Sequence, residues 1–304
     1  HPTTNKVALN ESYDVTSCVL RTNEWVDYRN ELTGIHDLEK LSRKIALKRV
    51  TPKDMSLLFD DLQKVLNLCA FTNANAESSG LVNKYTMPHG EPVDHCNVMM
   101  KTLEATFHLD KCLCVNDMSQ ERIANMNTDN MTFIKQGVSE EIDGLVNDCL
   151  NSRLQLEAIV ATLSGMVAIV EGKGKSSKTS TSTKYVKLHE TAKSEPMVVA
   201  TKRRIVLLKS HISKLKEKTI QIEYLAHDGT MVSFEFNLAE LDYGSMGTNK
   251  KEEVICNDII KSITSKVQKS VDELALGIIV FWKEYVSGLT ESLDAMKVIT
   301  SYIT

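Results

Sequence analysis

Turn-forming residues are scarce in this chain, with 13 glycines and 5 prolines in 304 residues, about half the usual share. A protein of many short strands needs more breakers than that, so a sandwich or barrel is excluded and long helices are expected. Aromatic residues are also few, at 6%. No run of 18 consecutive apolar residues occurs and no charged-then-apolar leader opens the chain, so neither a membrane span nor a signal peptide is expected. The seven cysteines (Cys18, Cys69, Cys96, Cys112, Cys114, Cys149 and Cys256) are odd in number and follow no repeating frame. That excludes a disulfide scaffold and predicts the reduced thiols of a soluble intracellular protein. The opening His1-Pro2, without Met, predicts a processed chain or an excised fragment.

What is present supports a core, since 42% hydrophobic and 25% charged residues are ordinary for a globular chain. Tyr13, Leu20, Trp25, Tyr28, Leu32 and Ile35 recur at helical intervals. Asp37 is placed to cap the next helix, whose stripe is Leu38, Leu41 and Ile45. Thr51, Pro52 and Asp54 give an N-cap, a first-turn proline and an acidic third position. The stripe Met55, Leu58, Leu62, Val65 and Leu66 follows, then a loop at "TNANAESSG", and a further helix is predicted from Asp94 to about Leu113.

Ser139 with Glu140 and Glu141 begins a stripe (Ile142, Leu145, Cys149, Leu156, Ile159, Leu163, Val167, Val170) that predicts a helix of roughly 45 Å. It ends at the low-complexity basic stretch "EGKGKSSKTSTSTK", read as a mobile loop. The period then changes. "YVKLHET" and "EPMVVAT" predict two strands, "KRRIVLLKSHISKLKEK" a helix, and "TIQIEYLAHDGTMVSFEFN" a hairpin turning at Asp228-Gly229. From about Thr248 a second long stripe, through Val254, Ile259, Ile263, Val267, Val271, Leu274, Ile278, Trp282 and Tyr285, predicts another very long helix. The expected fold is mainly α, a long antiparallel helical lever with a small α+β head inserted at its tip. Residues 171–218 hold 13 Lys or Arg against 4 Asp or Glu, leaving 23 against 36 elsewhere. A localised basic head on an acidic body is the footprint of a polyanion-binding surface.

Catalytic patterns are missing. Gly174-Lys175-Ser176 imitates the end of a phosphate loop, but Ile169 stands where the first glycine must be. His108, Cys112 and Cys114, with His95 and Cys96, are metal-type ligands, yet C-x-C alone is a weak signal, and His108 and Cys112, sharing a helical face at i and i+4, are equally what a half-buried helix provides. No Ser, His and acid arrangement announces itself. The chain is therefore expected not to be an enzyme, with no catalytic residue and no metal ligand. The set Lys202, Arg203 and Arg204 after Thr201 differs, because it sits at a strand-to-helix junction, where free backbone N–H groups and Arg can meet phosphate oxygens.

"LEKLSRKIALKRVTPKDMSLLFDDLQKV" resembles the core, or lever, segment of the MutS mismatch-repair family, through Asp37, Leu38, Glu39, Leu41, Arg43, Ile45, Pro52, Asp54 and Leu57. "FIKQGVSEEIDGLV" looks like the start of that family's clamp, and "SLDAMKVIT" resembles the segment just before its ATPase domain. The three landmarks stand in the family's order over nearly the whole chain. "KLHETAKSEPMVVATKRRIVLLK" is most similar to the divergent branch of giant viruses and coral mitochondria, which would make the source viral or organellar.

The resemblance implies lever helices over 1–145, a clamp over 146–271 and a returning lever helix over 272–304. It implies non-specific contact with the double-stranded DNA backbone and a second MutS-like subunit as partner, with no membrane. ATP and Mg belong only to an ATPase domain expected beyond Thr304, and the family's mismatch-reading Phe-x-Glu element is expected before His1. No cofactor is therefore expected in this chain. The DNA-binding residues implied are Thr201, Lys202, Arg203 and Arg204, with Asn249, Lys250 and Lys251 at the start of the returning helix, and Lys187 and Lys193 adding unspecific charge. Rival readings are a structural antiparallel coiled coil with a dimerising head, and a thiol-and-histidine metal hydrolase.

Overall fold

The computed structural model describes residues 4–74, 80, 83, 91–126, 132–171, 185–191, 194–246 and 249–303. They form a mainly helical protein with a small antiparallel sheet region. Contacts divide the chain into two compact units, one of His1–Ser119, Thr132–Val138 and Ile279–Thr304, the other of Gln120–Met131 and Ser139–Ile278. The basic stretch 172–184, with Gly174-Lys175-Ser176, lies outside the described residues, as do residues 75–79 of the loop expected at "TNANAESSG", whose first three residues, Thr72 to Ala74, instead continue a helix.

In the first unit α1 (Lys6–Thr22) and α2 (Trp25–Leu32) are separate helices. Asn23 breaks them in the left-handed region at φ 59°, and its side chain accepts from Trp25 Nε1 at 3.0 Å. Their apolar stripe does not face the core as its period suggested, since Tyr13 and Leu20 are 65% and 59% exposed. The next two starts follow the sequence. Asp37 accepts from Lys40 N at 2.7 Å to begin α3 (Leu38–Ala46). Thr51 and Asp54 cap each other at α4 (Pro52–Ala74): the Thr51 amide donates to Asp54 Oδ2 at 2.9 Å, and the Asp54 amide to Thr51 Oγ1 at 3.3 Å. Such a reciprocal box satisfies two otherwise orphaned amides. Met55, Leu58, Leu62 and Val65 are then fully buried, each stabilising by about 1.5–3 kcal/mol.

The helix expected from Asp94 to Leu113 is interrupted. α5 (Pro92–Thr106) stops where Phe107 turns extended and bridges Ile134, and a single turn, α6 (Leu109–Cys112), follows. The reason is packing: Phe107 joins a cluster with Phe133, Trp282 and Tyr285, at ring separations of 4.8–6.0 Å, and a continuous helix would carry the ring away from it. α7 (Gln120–Met126) belongs to the second unit, whereas α11 (Leu293–Ile303) packs on α3 and α5 of the first through Met296, Ile299 and Tyr302.

The second unit is organised by α8 (Glu140–Val170), capped by Ser139 as expected, its hydroxyl accepting from Ile142 N at 3.3 Å. By length and composition α8 is long and apolar enough to cross a bilayer, although polar residues interrupt its apolar run. Here Leu156, Ile159, Val160, Leu163 and Val167 are spent on the protein's own core. α10 (Asp258–Leu289) gives this unit its residues through Ile278. Gly277 stands opposite Ile142 and Leu145, while Ser270 meets Cys149, so α8 and α10 run antiparallel over this length.

Between the two helices lie β1 (Val186–Thr191), β2 (Ser194–Thr201), α9 (Lys202–Lys214), β3 (Thr219–Leu225), β4 (Met231–Asn237), β5 (Asp242–Met246) and β6 (Asn249–Cys256). One antiparallel sheet has the order β1-β2-β6-β5, and β3 and β4 form a second, two-stranded sheet. Gly229, at φ 84°, turns the β3–β4 hairpin where Asp228-Gly229 was expected. Register aligns Leu188, Val198, Ile255 and Tyr243 across the four strands on one face, which packs into the core with Ile205, Leu208 and Ile212 of α9.

β6 corrects the sequence reading. The apolar stripe from about Thr248 predicts the long helix, but Asn249–Cys256 form an inner strand paired to β2 on one side and β5 on the other. The helix begins only at Asp258, where Asn257 Oδ1 accepts from Ile260 N at 2.8 Å. The run Val254-Ile255-Cys256 suits a ladder, and partners some 50 residues upstream recruit it.

Candidate nucleic-acid interface

α9 follows β2 without a linking residue, so Thr201 is both the last strand residue and the N-cap. Its hydroxyl makes no capping bond, and the first amides of a helix have no acceptor within the helix. Lys202 and Arg203 project from this turn and are exposed, the Arg203 side chain by 82%. Thr201, Lys202 and Arg203 thus form one positive corner.

Arg204 faces the other way. Its Nη1 donates to the Tyr185 carbonyl at 3.2 Å, and its guanidinium lies 5.0 Å from the centre of the Tyr185 ring. Three residues share the basic run, but the helical turn sends only two outward and uses the third to tie α9 to the start of β1. Arg203 has a partial counter-charge, because Glu171 Oε1, at the end of α8, lies 3.6 Å from its Nη2.

Lys187 is exposed on β1, paired with Val199 of β2 and therefore on the sheet face opposite the core row. Asn249, Lys250 and Lys251 sit at the start of β6, not on a helix. The register still brings them near the corner, because Thr201 pairs with Glu252 and the strand start extends beyond that pair. The same strand adds two carboxylates, Glu252 and Glu253 opposite Thr201 and Ala200, which reduce the local positive charge. Lys193 lies outside the described residues.

The metal-type residues do not assemble: among the described residues no group of three His, Cys, Asp or Glu is placed to hold an ion. Cys112 is fully buried while Cys114 is exposed. His108 is the N-cap of the short α6 rather than a member of one helical face with Cys112. Burial, with Lys111 and Lys135 nearby, pushes its imidazole below the usual histidine range.

The arrangement offers amides, two outward cations and further lysines on adjoining strands. That suits electrostatic binding of a polyanion. No known protein-family model matches this chain, and a search of curated proteins finds no match either.

Proposed function

We propose that this chain is the lever and clamp region of a MutS-like mismatch-repair protein, binding the backbone of duplex DNA without reading its sequence and performing no chemistry. The observation that carries the reading is the positive corner of Thr201, Lys202 and Arg203, on an uncapped helix start, within a segment where Lys and Arg outnumber Asp and Glu by 13 to 4. The order of the lever, clamp-start and pre-ATPase stretches supports the family assignment and the division at 1–145, 146–271 and 272–304. In a longer parent the helices would couple the grip to an ATPase and a partner subunit.

Titration of the chain with matched and mismatched labelled duplexes over a range of salt tests this. Equal affinities and a steep loss with salt are expected, because phosphate contacts carry no sequence information. Changing Lys202 and Arg203 together to Ala should weaken both duplexes alike and lower the log–log salt slope by about 2. Salt-insensitive self-association without DNA binding would instead establish the coiled-coil scaffold.

A further inference from the structure

β3 and β4 form a sheet of their own, so among the described residues β4 has a strand partner on one side only. Its bonding follows from the register. The Leu238 amide donates to the Lys218 carbonyl and the Ala226 amide to the Thr230 carbonyl, both at 2.8 Å. Between these two rungs an antiparallel ladder bonds at every second pair, so Val232, Phe234 and Phe236 turn their amides and carbonyls to β3. Those of Ser233 and Glu235 point the other way. They form the outer edge of β4, and such an edge is a template for a further strand.

That edge borders a cleft of about 500 Å³, the size of an ordinary binding site. Phe234 and Glu235 both line it. Successive strand residues project to opposite faces, so the cleft runs along the edge of β4 rather than over one face. Its other wall is the start of α10. Ile259 and Ile263, one turn apart, join the half-buried Phe234 as an apolar floor, and Asp258, Ser262 and Lys266 form an exposed rim at i, i+4 and i+8. Asp258 and Lys266 are about 12 Å apart along the helix, the rise of about four strand residues. Glu235 and Asp258 suit a cation in the cleft, and Lys266 suits an anion two turns farther on.

We infer that this cleft docks an extended segment of a partner protein, added as a strand to the outer edge of β4. Alternate apolar side chains of the segment lie on the floor, and a Lys or Arg about four residues from an Asp or Glu lies along the rim. The docking is independent of DNA binding. The probe is a labelled, end-blocked heptapeptide in the order Thr, Lys, Leu, Thr, Leu, Glu, Thr, titrated by anisotropy against the full chain. Saturable binding is expected. N-methylation of both Leu nitrogens blocks one edge of the peptide, and N-methylation of Lys and the central Thr blocks the other. One of these two peptides should bind at least about tenfold more weakly and the other should not, because only one edge meets β4. Ser233→Pro removes an outward amide, which an edge strand tolerates, and should also cost at least about tenfold. Glu235→Lys should weaken binding by up to about fivefold, the scale of a cross-strand charge pair. Circular dichroism checks the fold of both variants. No saturable binding, equal loss with both methylated peptides, or unchanged affinity in the folded variants overturns the proposal. Self-association abolished by Ser233→Pro, without peptide binding, assigns the edge to a second copy instead.

Discussion

Arg203 Nη2 lies 3.6 Å from Glu171 Oε1, joining the first turn of α9 to the last residue capping α8. The carboxylate is mostly buried, with 14% of its side chain exposed, whereas the guanidinium is 82% exposed. Glu171 therefore stays in place while Arg203 can exchange partners. A phosphate would compete for the same guanidinium, and the nearby carboxylate would repel it. Glu171→Gln should strengthen duplex binding by up to about fivefold, the scale of one exposed ion pair. The gain should vanish in Glu171→Gln combined with Arg203→Ala, so anisotropy titrations of this double-mutant cycle check the coupling.

Arg204 should behave unlike its two neighbours. Arg204→Ala removes the bond to the Tyr185 carbonyl and the contact with its ring, and should cost about 1 kcal/mol of stability in urea unfolding. The salt slope of DNA binding should be unchanged. A slope lowered by the same amount as in Lys202→Ala would place Arg204 at the phosphate after all.

Trp282 holds the aromatic cluster of the first unit and donates from Nε1 to the Val50 carbonyl at 3.2 Å. Trp282→Ala should destabilise by about 3–5 kcal/mol through the cavity it leaves. Trp282→Phe keeps a ring but leaves the carbonyl without that donor, for about 1–3 kcal/mol. Denaturant midpoints at unchanged m-value would separate the two.

Asp54 gives the first unit an acid-sensitive helix start. Burial raises its carboxyl pKa, but the Lys44 ammonium at 2.7 Å and the bonds from Thr51 outweigh it, so the net shift is downward. A carboxylate with its pKa depressed on folding contributes stability above its unfolded value of about 3.9, and this is lost as pH falls through the lower folded value. Acid titration of stability should show this component in the native chain and lose it in Asp54→Asn, which should also be less stable near neutrality.

The thiols should divide by burial. Desolvation pushes Cys96 and Cys112 up to about 12, and five of the seven cysteines are buried while Cys114 is exposed. With Ellman's reagent at mildly alkaline pH, Cys114 should react first and the buried five only on unfolding. Rapid reaction of several thiols in the native chain would contradict this core.

Local chemistry was legible wherever a residue and its near neighbours settle the backbone. Asp37, Thr51 with Asp54, Ser139 and Asp228-Gly229 set three helix starts and one hairpin by hydrogen bonds or φ values within a few residues. The stripes of α8 as far as Val167 and of α10 from Ile263 onward likewise predict the buried faces, whereas Val170 at the end of α8 is exposed. Distant partners settled the rest. Asn249–Cys256 became a strand because β2 and β5 offer ladders on both sides, and Phe107 broke a helix because Trp282 and Tyr285 complete its cluster. Sequence also determined that positive charge gathers in residues 171–218. Only tertiary structure decided that Arg204 turns inward to Tyr185 while Lys202 and Arg203 face solvent, because the buried ridge Ile205, Leu208 and Ile212 fixes the rotation of α9 against the sheet.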